Sequence, residues 1–226
     1  MEKDVKVSGE GISEQTSQES CIEPFKGRGD RREHILDVAS EIFLTEGYAS
    51  ASMSTIAARL GGSKGTLYNY FKSKEELFGA YVLRHCEFHR GQVGELLTDE
   101  GDARTVLTRF ARRYVKVFTS DKSLQNWRVI SAESQKSPEI GRAFYESGPK
   151  RGAEILADYL RKVTARGEMK IDDPLMASFQ LTSLIHGRLI KARLLNYIPA
   201  PNDEEVDLEV ESAMHVFFAA YGVNNG

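Results

Sequence analysis

Ser52-Met53-Ser54-Thr55-Ile56-Ala57-Ala58-Arg59-Leu60-Gly61-Gly62-Ser63-Lys64-Gly65-Thr66-Leu67-Tyr68-Asn69-Tyr70-Phe71-Lys72-Ser73-Lys74 contains two short helical segments separated by a glycine turn. The second segment carries small, hydroxylic and aromatic residues where a buried helix would carry aliphatics. A helix-turn-helix that reads DNA needs this layout, with one helix braced across the backbone and a second laid into the major groove. Ser52 or Ser54 can cap the first segment, in which Ile56, Ala57 and Leu60 face inward. Ser63 caps the second, and Ser73 with Glu76 three residues later predicts a capping box for the helix that follows. Upstream, Ile35, Val38, Ala39, Ile42 and Phe43 fall on one helical face, and Gly47 is placed to close that helix in the left-handed conformation.

The groove-facing candidates are Lys64, Gly65, Thr66, Tyr68 and Asn69, with Ser52, Ser54 and Thr55 at the start of the bracing segment. Lys64 can donate to guanine O6 or N7 or to a phosphate, and Thr66 offers a hydroxyl and a methyl for thymine. Gly65 lacks a side chain and lets the helix approach the base edges. Lys74, beside the free N–H groups of the next helix, is placed to hold a phosphate. Leu67 and Phe71, four apart, read as core; Tyr68 and Tyr70 read either as DNA contacts or as packing. One bidentate base contact supplies only about 1–3 kcal/mol of discrimination. A single recognition helix therefore cannot select one operator from a genome, and a dimer on a palindromic double-stranded DNA site is expected.

Gly47-Tyr48, Ile56-Ala57, Gly65-Thr66-Leu67-Tyr68, Tyr70-Phe71 and Lys74-Glu75-Glu76-Leu77-Phe78 resemble, in order and spacing, the TetR family of transcriptional regulators. The resemblance covers roughly Arg31 to Arg90, and Tyr68 and Tyr70 are similar to family positions that contact phosphates or base edges. Ser131-Ala132-Glu133, Pro138-Glu139-Ile140, Ala143-Phe144-Tyr145, Arg166-Gly167-Glu168 and Asp172-Asp173-Pro174 resemble the ligand-binding half of the AefR-like subgroup. Gly62 departs from the pattern, standing where the family usually places an apolar residue, and this lowers local stability at the turn. The resemblance implies a repressor released from DNA by a small-molecule effector, with movement of the fourth helix changing the spacing of the two recognition helices.

The 226 residues carry a net charge of −3, which seems ill suited to DNA until it is divided. Residues 1–25 hold two basic and six acidic residues, −4 in all, so the remainder is +1. DNA affinity must then come from placed charges and not from a global basic field. Residues 1–27 form a polar tail that reads as disordered, and a basic cluster of Lys26, Arg28, Arg31 and Arg32 spans its junction with the first helix. That cluster is either a solvated helix start or an arm toward the DNA. Two cysteines, Cys21 and Cys86, make no disulfide framework and fit a reducing cytoplasm. No apolar run approaches the ~18 residues needed to cross a bilayer, so a cytoplasmic protein without membrane contact is expected.

The periodicity predicts an all-α fold of about nine helices with no strand pattern of useful length. Residues 28–90 form the DNA-binding domain, with the motif at 53–72, and residues 91–226 the effector-binding and dimerisation domain. Asp172, Asp173 and Pro174 open a long helix to about Asn196, and Gly148-Pro149 marks a break or kink. Apolar stripes in the last two helices, including Leu181, Leu184, Ile185, Leu189, Met214, Phe217 and Phe218, suit a four-helix dimer interface; the alternative is intrachain core. As the resemblance implies, helices four to seven enclose a pocket, with Phe88, Phe110, Tyr114, Phe118, Trp127, Phe144 and Tyr145 as candidate lining. The ligand is expected to be apolar or amphipathic.

His85, Cys86 and His89 form one metal-like cluster, with two histidines on one face, but no carboxylate completes it. No metal or cofactor is expected. A metal-responsive regulator using these three residues is one alternative, and an architectural DNA-binding protein without effector control is another. No Ser-His-Asp arrangement, phosphate-binding loop or metal set supports an enzyme.

Overall fold

A computed structural model describes residues 28–98 and 100–223, so the polar tail expected at residues 1–27 lies outside the described residues. The described chain is all-α, with eleven α-helices and one π turn; its only bridge of β type joins Met169 and Gly222. Among the described residues no helix is long and apolar enough to cross a membrane.

The first four helices are α1 (Arg28–Thr45), α2 (Met53–Arg59), α3 (Lys64–Tyr68) and α4 (Lys74–Gly94). Gly47 adopts φ +80° after α1, as its position predicts. At the glycine pair it is Gly61, at φ +64°, that takes the left-handed turn, while a Cβ on Gly62 would lie 3.2 Å from the Arg31 guanidinium. Ser52, Ser63 and Ser73 each accept a hydrogen bond from the backbone N–H three residues on, satisfying one orphan donor per helix. The predicted capping box at Ser73 forms only by half: Glu76 accepts from the Lys72 N–H at 2.7 Å instead of from Ser73.

Next come α5 (Ala103–Phe118), α6 (Asp121–Ser134), α7 (Pro138–Tyr145), the π turn Glu146–Lys150 and α8 (Arg151–Ala165). Gly148-Pro149 does not break the chain direction; the π turn carries α7 into α8. Proline lacks the N–H that an α-helical ladder would use here. Finally α9 (Pro174–Ile185), α10 (Leu189–Leu194) and α11 (Asp203–Tyr221) complete the fold. The long helix expected over 172–196 is thus two helices. The buried carboxylate of Glu209, from α11, accepts from the backbone N–H groups of Arg188 at 2.8 Å and Leu189 at 3.4 Å, so it caps α10. A Cβ on Gly187 would meet the Leu184 carbonyl oxygen at 2.9 Å and Glu209 at 3.5 Å. Glycine is what lets the chain turn between the two helices and the carboxylate approach.

Two apolar cores organise the chain. The first joins α1 to α4 through Ile35, Phe43, Ile56, Leu67, Phe71, Leu77 and Phe78, and it reaches Ile130 of α6 and Ile140 of α7. The second gathers α5, α8, α9 and α11 around Leu107, Leu156, Leu181, Ile185, Met214 and Phe217. α4 belongs to both, giving Phe78, Tyr81 and Cys86 to the first core and Val93 to the second. Tyr81 donates to the buried Asn126 side chain of α6, and Arg84 ties α4 back to Glu33 and Asp37 of α1 at 3.2 and 2.8 Å.

These cores correct the dimer stripe expected from sequence. Leu181, Ile185, Leu189, Met214, Phe217 and Phe218 are buried within the single chain, and Leu184 is half-buried against the same core. The apolar faces of α9 and α11 are consumed by α8 and α5. What these two helices leave exposed is a different stripe: Met176, Gln180 and Ser183 on α9, and Leu208, Ser212, Val216 and Ala219 on α11.

Candidate nucleic-acid interface and effector cavity

On the first three helices the outward face is set by what the core takes. Leu67 and Phe71 turn inward, and this leaves Lys64, Gly65, Tyr68 and Asn69 exposed on one side of α3 and its end. Tyr68 is 47% exposed despite its size. Tyr70 is half-buried against the first core, so packing accounts for much of it. Thr66 is also half-buried, with its hydroxyl 3.1 Å from that of Ser63. Ser52, Ser54 and Thr55 are exposed at the start of α2, the Ser52 and Thr55 hydroxyls 2.8 Å apart. A Cβ on Gly65 would meet nothing closer than the Ser63 hydroxyl at 3.6 Å, an ordinary contact, so nothing inside the protein requires glycine there.

The Lys74 ammonium donates to the Tyr48 carbonyl at 2.9 Å and the Ala51 carbonyl at 3.0 Å, and lies 4.1 Å from the centre of the Tyr48 ring. Tyr48 in turn donates to Glu75 at 3.2 Å, and burial with this carboxylate raises its phenol well above the ordinary value. The loop ahead of α2 is therefore strapped to the start of α4 by Lys74. Lys72, exposed just after α3, is a further cation on this side.

In the second half, a cavity of about 230 Å³ opens between α4, α5, α6, α7, the π turn, α8 and α9. Of the expected lining, Phe110, Tyr114, Phe118, Trp127 and Phe144 are there. Phe88 and Tyr145 are not: they are 58% and 52% exposed on the outer sides of α4 and α7. Helical periodicity alone did not separate the two faces of those helices. The rings form a continuous wall, with Tyr114 to Phe118 at 4.3 Å and Trp127 to His186 at 4.9 Å between centroids.

Three histidines enter this cavity: His85 and His89 of α4, and His186 after α9. The His85 and His89 rings meet edge to face at 4.2 Å. Burial, then the neighbouring His89 and Lys122, pull His85 down to about 3; burial and Lys122 pull His89 down to about 4. His186 is likewise lowered by burial and then Lys191, with its Nδ1 3.4 Å from the Tyr114 hydroxyl. All three are neutral imidazoles at pH 7. The sequence reading treated His85, Cys86 and His89 as a possible metal cluster, but Cys86 turns toward Phe144, and no metal-binding group of three ligating side chains forms among the described residues. The spacing of the two histidines was visible; their facing His186 across the cavity was not, since that depends on how α9 docks.

Residues 35–81 match the family described as bacterial regulatory proteins, tetR family, and residues 105–223 match the AefR-like transcriptional repressor, C-terminal domain. The chain is 36% identical to the transcriptional activator FasR of Mycolicibacterium smegmatis over 103 residues, which is 46% of each protein and so under half of that relative's length. It is 26% identical to the transcriptional repressor ComR of Escherichia coli, over 79% of this chain and 88% of that one. Among solved structures, the flavonoid-responsive regulator FrrA superposes with a TM-score of 0.77 at 32% identity, covering 87% of this chain and 99% of that chain.

Proposed function

Because this chain belongs to the TetR family of bacterial regulatory proteins, we propose that its two halves divide operator binding from effector sensing. The protein is a helix-turn-helix transcriptional regulator. In our reading, residues 28–90 bind DNA and residues 91–226 bind an effector and a second subunit. The functional unit is a homodimer on a palindromic operator, with one α3 in each of two major grooves about 34 Å apart. The contacts are made by Lys64, Tyr68, Asn69 and Lys72, with Gly65 allowing close approach. The exposed stripe Met176, Leu208 and Val216 on α9 and α11 joins the subunits. Repression with ligand release is the mode we favour, since the AefR-like half is described as a repressor domain.

The observation that carries this reading is where the cavity lies. Trp127 and Phe144 form its wall, while Ile130 and Ile140, on the same two helices, pack in the DNA-binding core. A ligand that shifts α6 and α7 therefore pushes on α1 and α4 without an intermediary. Affinities for ligand and operator are then coupled, typically by about 1–3 kcal/mol. The likeness to FrrA, a flavonoid-responsive regulator, supports an aromatic effector here.

The test is anisotropy of labelled DNA from upstream of this protein's own gene and its neighbours, at fixed salt, with a competitor. Tight, competitor-resistant binding that small aromatic molecules abolish supports the reading. Binding without preference for any selected sequence would instead mark an architectural protein.

A further inference from the structure

The chemistry of the cavity wall constrains its occupant more closely than size alone. We propose that the cavity takes an uncharged, two-ring aromatic molecule carrying a hydroxyl group that hydrogen-bonds to the His85–His89 imidazole pair. This rests on the effector reading above and names the ligand class of that site.

Volume sets the first limit. An engineered cavity of about 150 Å³ holds one benzene ring, so about 230 Å³ has room for two fused or linked rings. Charge sets the second. No carboxylate lines the cavity, so an ammonium ligand finds no counter-charge. Its one guanidinium, Arg90, donates through Nη1 to the Ser147 carbonyl at 2.6 Å, which directs it to the π turn. A carboxylate ligand would have to share that cation with the turn or else protonate imidazoles that burial keeps neutral.

Hydrogen bonding sets the third. The Ser120 and Ser123 hydroxyls each lie 2.7 Å from the Val117 carbonyl, and that of Ser123 is 3.4 Å from His89 Nε2. Whichever ring nitrogen carries the hydrogen, a neutral imidazole offers one N–H and one lone pair. His89 is only 8% exposed, and its Nδ1 has no hydrogen-bond partner. His85, whose ring abuts it, is held by no hydrogen bond among the described residues. A buried polar nitrogen without a partner destabilises the empty protein, and a hydroxyl, able to donate or to accept, relieves that cost. Trp127, Phe118 and His186 supply ring faces and edges for the aromatic body.

The experiment measures binding of 2-naphthol, naphthalene and naphthalene-2-carboxylate to the full chain by Trp127 fluorescence and calorimetry. The expected result is a preference of about tenfold for 2-naphthol over naphthalene, the weight of one hydrogen bond to a buried polar nitrogen, with the carboxylate weakest. His89→Phe or His85→Phe abolishes the preference, read as the ratio of 2-naphthol to naphthalene affinity within each variant, while His89→Asn, which restores a polar partner, recovers it. Having two positions guards against one variant failing to fold. The proposal is overturned if the carboxylate binds tightest, or if the hydroxyl preference survives both phenylalanine variants. Operator release is read separately. Naphthol binding without release refutes the effector reading and leaves the ligand class standing; release driven by the carboxylate does the reverse.

Discussion

Replacing Lys74 by Met separates two roles for one cation, a phosphate clamp or a strut within the protein. Met keeps the stem that packs on Tyr48 and removes the ammonium. The variant loses two charge-assisted hydrogen bonds, to the Tyr48 and Ala51 carbonyls, and the cation over the Tyr48 ring. Fully buried, two such bonds would contribute about 3–6 kcal/mol. This site is only part-buried, and water can reach the released carbonyls, so the cost falls to about 2 kcal/mol, or roughly 4–8 °C in Tm for a chain of this size. Urea unfolding of wild type and Lys74→Met, followed by a salt series of operator binding, reads both roles. A strut gives the stability loss with the salt slope unchanged. Stability within ~0.5 kcal/mol of wild type, together with a slope shallower by about 0.9, the mark of one lost phosphate contact, would show that the loop does not depend on this strap.

Gly65→Ala should stabilise the protein by about 0.5–1 kcal/mol, because the new methyl meets nothing tight inside the fold; if the glycine serves approach to DNA, the same change weakens operator binding at least tenfold, and unaltered binding would remove that role. Leu208→Asp and Val216→Asp, on exposed positions, should yield a folded monomer by sedimentation, whereas Phe217→Asp, in the core, should fail to fold; a dimer surviving the first two would place the interface elsewhere. His85 and His89 bind protons less readily folded, at about 3 and 4, than unfolded near 6.5. The unfolded state therefore takes up more protons as pH falls, so their contribution is intact above about pH 6.5 and shrinks below it. Between pH 7 and pH 5 the loss is about 2–4 kcal/mol for the pair; ordinary histidine titrations in the folded protein by NMR would contradict it.

The DNA-binding half was readable because its signals are local. Ser52, Ser63 and Ser73 cap helices within three residues of themselves, and Gly47 turns where its position implies. The second half depends on residues far apart in the chain. Nothing near Gly187 announces that Glu209, over twenty residues on, will cap α10 and split the expected long helix. The apolar periodicity of α9 and α11 was real, but period does not reveal whether a stripe faces a neighbour in the same chain or in another. For the same reason Phe88 and Tyr145 could not be told from Phe118 and Phe144 by spacing. A cation at a helix start has two kinds of oxygen within reach, and only the folded loop shows that Lys74 lies on the carbonyls of Tyr48 and Ala51.

The π turn at Glu146–Lys150 gives the cavity an unusual means of variation. A helix with a wide turn has absorbed one surplus residue while the helices on either side keep their faces. Removing one residue there would draw α7 and α8 toward an ordinary α-helix, interrupted only where Pro149 lacks its N–H. Ser147 would then lose the carbonyl orientation that Arg90 uses, and Gly148 and Pro149 would withdraw from the cavity edge. A single-codon deletion at this one place would thus change the cavity edge and, through Ile140 of α7, bear on the core of α1 to α4.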